Sequence, residues 1–115
     1  LELILLFGSY AKGRARDDSD VDVAVLAAHP PREDPDWHAG LEADLARAFP
    51  SRDAHLTLLN DAPALLAFEV VRGGIVLLEK PPGVYSRFRS RAARAYYDDE
   101  PRRLRQARFL AKVRA

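Results

Sequence analysis

Apolar and polar positions fall into blocks along the chain, and the blocks differ in period. Residues 3–7 are continuously apolar and stop at Gly8-Ser9, which predicts a buried strand entering a tight turn. Residues 10–12 predict a short helical turn closed by Gly13, and the polar residues 14–19 a loop. A period of two follows: Val21, Val23 and Val25 share one face of a second strand, with Asp20, Asp22 and Ala24 on the other. Residues 29–36 hold three prolines and read as a loop. Trp37, Leu41, Leu45 and Phe49 then recur every four positions, the spacing of an amphipathic helix with Trp37 on its core stripe, and Asp34 or Asp36 stands where a cap is needed. Residues 55–59 predict a third strand. Asn60 or Asp61 is placed to cap a second helix, with Pro63 near its first turn and Gly73-Gly74 as its stop. A fourth strand is expected over residues 75–78, a hinge at Pro81-Pro82-Gly83, and helices over about 84–97 and 101–113.

That order predicts an α/β or α+β fold, a small mixed sheet packed with helices. Residues 1–83 form its core, and residues 84–115 a helical tail. A chain of 115 residues, 48% apolar and 30% charged, suits one modest domain. The absence of cysteine excludes disulfides and thiolate metal sites. No apolar run approaches the roughly 20 residues that span a bilayer, so no membrane association is expected and a cytoplasmic location is. The net charge of +1 conceals an asymmetry. Residues 1–83 carry 8 Lys/Arg against 14 Asp/Glu, a net of −6, while residues 84–115 carry 10 against 3, a net of +7. A basic tail on an acidic body suits an acidic partner surface or a nucleic acid; the alternative is a solvated Arg-rich helix.

The stretch most informative about chemistry runs from Gly8 to Asp22. Gly8 lets backbone approach a phosphate closely. Ser9 offers a hydroxyl and an amide at the start of a helical turn, both of which favour an anion. Asp20 and Asp22, two apart on a strand, share a face about 6.6 Å apart along the backbone. Their carboxylates can converge on hard cations, and paired metals suit in-line phosphoryl displacement. Taken separately, a Gly-Ser is a turn and an Asp-x-Asp an exposed strand face. In strand–turn–strand context they are far more specific, because like charges on one face repel and a structural role does not explain them.

Gly8-Ser9 followed by Asp20-Val21-Asp22 on the next strand resembles the signature of the polymerase-β-type nucleotidyltransferase superfamily. The short chain, with 59–63 reading Leu-Asn-Asp-Ala-Pro, the Gly73-Gly74 turn, the strand to Glu79 and Tyr96-Tyr97-Asp98 in the tail, is similar to its minimal nucleotidyltransferase branch, the antitoxin partners of HEPN-domain toxins. The resemblance implies Mg²⁺ as cofactor and ATP as substrate, with transfer of AMP to a tyrosine hydroxyl of a HEPN ribonuclease and departure of pyrophosphate. It implies Gly8 and Ser9 as phosphate contacts and Asp20 and Asp22 as metal ligands.

The chain departs from the pattern at the third carboxylate. Counting back from Asn60, that place falls on His55. Imidazole is a poor substitute for a carboxylate toward Mg²⁺. Three readings stand: His55 as an ordinary strand residue with catalysis weakened, Asp53 as a replacement carboxylate two positions earlier, or His55 as a base or softer ligand. Lys12 and Arg14 flank the phosphate turn and either neutralise phosphate or are solvated. His29 and His38 read as surface residues. Tyr85, Tyr96 and Tyr97 among Arg87, Arg89, Arg91 and Arg94 resemble an RNA-binding patch, but a partner-docking or core-packing helix is the stronger reading. No P-loop motif is present. The functional alternatives are a degenerate module that inhibits its toxin by contact and a nucleotidyltransferase acting on small molecules.

Overall fold

The computed structural model describes residues 1–8, 11, 13, 20–29 and 34–114. The elements run β1 (Leu3–Phe7), β2 (Val21–Leu26), α1 (Pro35–Ala48), β3 (Ala54–Leu58), a 3-10 turn (Leu59–Asp61), α2 (Ala64–Gly73), β4 (Ile75–Glu79), α3 (Val84–Asp98) and α4 (Glu100–Arg114). The four strands form one mixed sheet in the order β3-β2-β1-β4. β1 is antiparallel to both β2 and β4, and β2 is parallel to β3. The fold is therefore α+β with a mixed sheet, as the sequence predicts.

The period of two in β2 sorts its side chains between two layers. Val21, Val23 and Val25 are buried on one face, where Leu41, Leu45 and Phe49 of α1 pack against them with Ile4, Leu6 and Leu56. Asp34 caps α1: its Oδ1 accepts from the backbone N–H of Asp36 at 3.0 Å and of Trp37 at 3.2 Å, a cap worth about 1 kcal/mol. Trp37, expected in the core, is only half-buried, in the first turn of the helix. The other face carries Ala24 and Leu26 with Leu3 and Leu5, covered by Val70 and Val71 of α2 and by Val84, Phe88 and Ala92 of α3. Leu3, Leu5, Val70 and Val71 are essentially inaccessible, and burial of each such side chain contributes about 1.5–3 kcal/mol.

Neither Asn60 nor Asp61 caps α2. The Asn60 side chain instead accepts from the Ala27 N–H at 3.0 Å and donates to the Ala27 carbonyl at 2.8 Å, replacing the pairing that β2 loses as it ends. The helix begins after Pro63, with no side-chain cap. Gly74 is required where α2 stops, not for its dihedral angle but for space: a Cβ would meet the Val70 carbonyl oxygen at 2.5 Å. The turn into α3 is held by Glu79, whose Oε2 accepts from the N–H groups of Gly83 at 3.2 Å and Tyr85 at 2.9 Å.

The tail aromatics are engaged within the chain. The Tyr85 hydroxyl donates to the Val71 carbonyl at 2.8 Å. Tyr96 stacks on Phe68 of α2 at 4.2 Å between ring centroids, and the Arg103 guanidinium lies 3.7 Å from the Tyr96 centroid. α3 is thus packed into the core. α4 buries no residue and leaves Phe109 and Val113 exposed by 64% and 65%. No helix among the described residues is long and apolar enough to cross a membrane.

Candidate functional site

The candidate residues gather where β1 ends and where β2 and β3 begin. Antiparallel pairing sets Phe7 opposite Asp22, and parallel pairing sets Asp22 beside His55. Phe7, Asp22 and His55 therefore form one row on the sheet face that α2 and α3 cover further along. The next rows on that face are Leu5, Ala24 and Thr57, then Leu3 and Leu26, so apolar and polar ends share a single surface. Asp22 is half-buried, while Asp20 and His55 are exposed.

Gly8 lies directly after β1 with φ of +74°, a left-handed conformation that costs other L-residues roughly 1–2 kcal/mol. A Cβ on Gly8 would collide with Oδ2 of Asp22. The missing side chain thus makes the space the carboxylate occupies, and the tight turn and the first aspartate of the row are one construction. His55 Nε2 stands 3.2 Å from Asp20 Oδ2, with 59% and 54% of the respective side-chain surfaces open. The backbone carbonyl of Asp53 accepts from the Val21 N–H at 2.8 Å and extends the β2–β3 pairing past the first strand residue. Beside it Asp20, Pro50, Ser51, Arg52 and Asp53 line an open groove of about 420 Å³. Asp53 is exposed and precedes the strand. Of the two residues considered for the third position, His55 is the one whose side chain reaches the Asp20 carboxylate.

Ser9, Lys12 and Arg14 lie outside the described residues, so the phosphate contacts proposed for Ser9 and Lys12 rest on the sequence. Among the described residues, no three carboxylates or imidazoles are already drawn together around one point. The arrangement fits a cation that arrives with a polyphosphate better than a resident one: two aspartates and an imidazole on one open edge leave room for phosphate oxygens, the usual setting of Mg²⁺ in phosphoryl-transfer sites. The groove wall at residues 50–52 and the Asn60 clamp were missed in the sequence. Neither has a local spacing signal, because each acts on a strand more than 20 residues away.

Comparison with known proteins gives the same picture. The Polymerase beta, Nucleotidyltransferase family matches over residues 1–82. The protein adenylyltransferase MntA of Shewanella oneidensis is 42% identical over 74 residues, which is 64% of this chain and 51% of that protein. This chain thus matches about half the length of that relative. Among solved structures, a chain of a toxin–antitoxin complex with AMP-PNP superposes with a TM-score of 0.77 at 33% identity, covering 100% of this chain and 87% of that one. A complex of tri-AMPylated Shewanella oneidensis HEPN toxin with MNT antitoxin matches with a TM-score of 0.70 at 31% identity, covering 100% and 84%. With the family match spanning most of the chain and falling on the strands that carry Gly8, Asp20, Asp22 and His55, this protein belongs to the polymerase-β nucleotidyltransferase family.

Proposed function

We propose that the chain transfers AMP from ATP to a tyrosine hydroxyl of a HEPN-type ribonuclease and so acts as the antitoxin of a toxin–antitoxin pair. The observation that carries the reading is the coupling of Gly8 to Asp22, which builds a phosphate-approach turn and a metal-binding carboxylate into one unit. Likeness to an adenylyltransferase and to chains of HEPN complexes supports the choice of acceptor.

In this reading Gly8, Ser9 and Lys12 receive the triphosphate, and the Gly8 backbone lies close to it because no Cβ intervenes. Asp20 and Asp22 would hold Mg²⁺, which would offset charge on the phosphates during displacement. The acceptor hydroxyl loses a proton as its oxygen bonds the α-phosphorus and pyrophosphate leaves. His55, which contacts Asp20, and Asp53, which lines the same groove, are the candidates to take that proton. Residues 1–83 supply this chemistry, and the tail of residues 84–115 supplies the surface for the toxin, with the apolar side of α4 as its most open part.

The test is transfer of label from ATP to a cognate HEPN protein in the presence of Mg²⁺. The wild-type chain labels it, and Asp20→Asn/Asp22→Asn fails to, by several kcal/mol of lost charge stabilisation or on the order of 10³-fold. No transfer by the wild type overturns the reading. A second reading, inhibition by contact alone, is favoured by His55 standing in place of a carboxylate. It requires the double variant, still folded, to neutralise the toxin as well as the wild type does.

A further inference from the structure

Helices α3 and α4 are joined by the single residue Asp99, so few backbone angles decide where α4 points. Every residue of α4 except Arg103 is exposed. Arg103 keeps only 19% of its side-chain surface open and reaches back to α3 in three ways. Its guanidinium lies 3.7 Å from the Tyr96 ring centroid, donates to the Tyr96 carbonyl at 2.6 Å and pairs with the Asp99 carboxylate at 3.5 Å. Tyr96 is itself stacked on Phe68 of α2, so the contact ties α4 to the helical layer and not merely to a neighbouring turn. A cation over a tyrosine face and a charge-assisted hydrogen bond to a carbonyl in the last turn of α3 are both directional. Beyond Arg103 the body gives out. Ala107 and Leu110 follow it at i+4 and i+7, on the same side of the helix, and both are exposed, Leu110 by 48%. The first turn of α4 is thus clamped and the rest projects.

We infer that Arg103 is a positioning residue: it fixes α4 as a preset arm that offers Phe109, Leu110 and Val113 to a protein partner. The inference deepens the proposed toxin reading and rests on it for the identity of that partner. The partner's chemistry follows from the arm. Its three apolar residues are exposed by 64%, 48% and 65%, and Arg105, Arg108 and Lys112 form an exposed basic stripe beside them at i, i+3 and i+7. A matching surface is apolar with an acidic border. A nucleic acid offers the charge but not the apolar patch. Holding the arm in one orientation removes an ordering cost that a loose helix bears on binding. Arg102 also bonds Asp99, at 2.7 and 2.8 Å, but among the described residues it does not reach Tyr96, which makes it the natural control.

The experiment exploits the absence of native cysteine. Ala43→Cys on α1 and Ala111→Cys on α4, both exposed positions, take nitroxide labels, and pulsed dipolar EPR reads the distance between them. The otherwise wild-type chain gives one narrow distance distribution, Arg103→Gln a broad one and Arg102→Gln a narrow one. Calorimetry against a cognate HEPN protein gives a Kd that rises on the order of tenfold in Arg103→Gln and stays unchanged in Arg102→Gln. The melting temperature of Arg103→Gln stays close to that of the wild type, because α4 buries no residue, so loss of the fold does not account for the weaker binding. A broad distribution in the wild type, a narrow one in Arg103→Gln, or an unchanged Kd in that variant overturns the inference. So does a Phe109→Ser/Val113→Ser variant that binds the HEPN protein as tightly as the wild type does. A complex that forms normally but without transfer of label from ATP overturns the proposed activity and leaves this inference standing. Absence of any complex with the wild-type chain overturns both.

Discussion

The two ends of β2 have the same backbone and opposite surroundings. At its far end Ala24, Val25 and Leu26 are buried between α1 and the α2–α3 layer, and the Asn60 side chain takes up the backbone of Ala27. At its near end the same face carries Asp22 half-buried and Asp20 exposed, beside an exposed His55. The strand is thus a ruler laid from core to solvent. Charged groups sit at the end the helices do not cover, where a ligand can reach. Stability and chemistry are separated along one element by the length of two neighbouring helices.

The comparison predicts that damage at the two ends will not mix. The largest effect is expected at the buried end. Leu5→Ala, opposite Ala24 and fully buried, should cost about 2–5 kcal/mol in urea unfolding. Nucleotide affinity should survive at temperatures where the variant remains folded. If that affinity fell in step with stability, the two ends would be one unit and the separation would be wrong. Asn60→Ala leaves two backbone groups of Ala27 without their partners and should cost about 1–3 kcal/mol by the same measurement, again with the site intact. Gly8→Ala reverses the pattern. Its left-handed backbone should cost about 1–2 kcal/mol. The added Cβ should push Asp22 aside and abolish the metal–nucleotide complex, read by calorimetry with Mg²⁺ and ATP.

The smallest effect lies at the junction of α3 and α4, where Asp99 pairs with Arg102 and Arg103. The hydrogen bond from Arg102 holds the Asp99 carboxyl below its ordinary value against a smaller opposing effect of burial, with Arg103 adding to the depression. A depressed carboxyl stabilises the fold above its ordinary value, and that contribution is lost as pH falls through the lowered one. An NMR titration should show the Asp99 midpoint below that of a free aspartate and returning toward it in Arg102→Gln. Because the pair is exposed, the accompanying change in melting temperature should be slight.

The division between the two ends was largely legible in the sequence, since it follows from periodicity. The alternation of Val21, Val23 and Val25 with Asp20, Asp22 and Ala24 placed both faces, and the four-residue recurrence at Leu41, Leu45 and Phe49 placed the helix that covers one of them. Trp37 continued that recurrence but stands in the first turn, which reaches beyond the valine face. The sequence could not show which side chains bridge distant segments. Asn60 looked like a cap because Asn often precedes a helix, yet Ala27, 33 residues away, claimed its amide. Glu79 carried no signal as the clamp on the turn into α3. At the third position, spacing alone left His55 and Asp53 side by side as candidates. It took the β2–β3 register to put the imidazole against Asp20 and the Asp53 carbonyl on Val21.

That same parallel pairing has a bearing on the order of events during synthesis. Gly8 and Asp22 can meet once the first hairpin has emerged from the ribosome, but the imidazole arrives 35 residues after Asp20 and docks only when α1 has folded back across the sheet. Long-range parallel pairing forms slowly compared with a local hairpin. A chain that stops before β3 would hold Gly8 against Asp22 yet lack the imidazole that pairs with Asp20. Completion of this edge is in this way a late step, reached only by molecules whose crossover is complete.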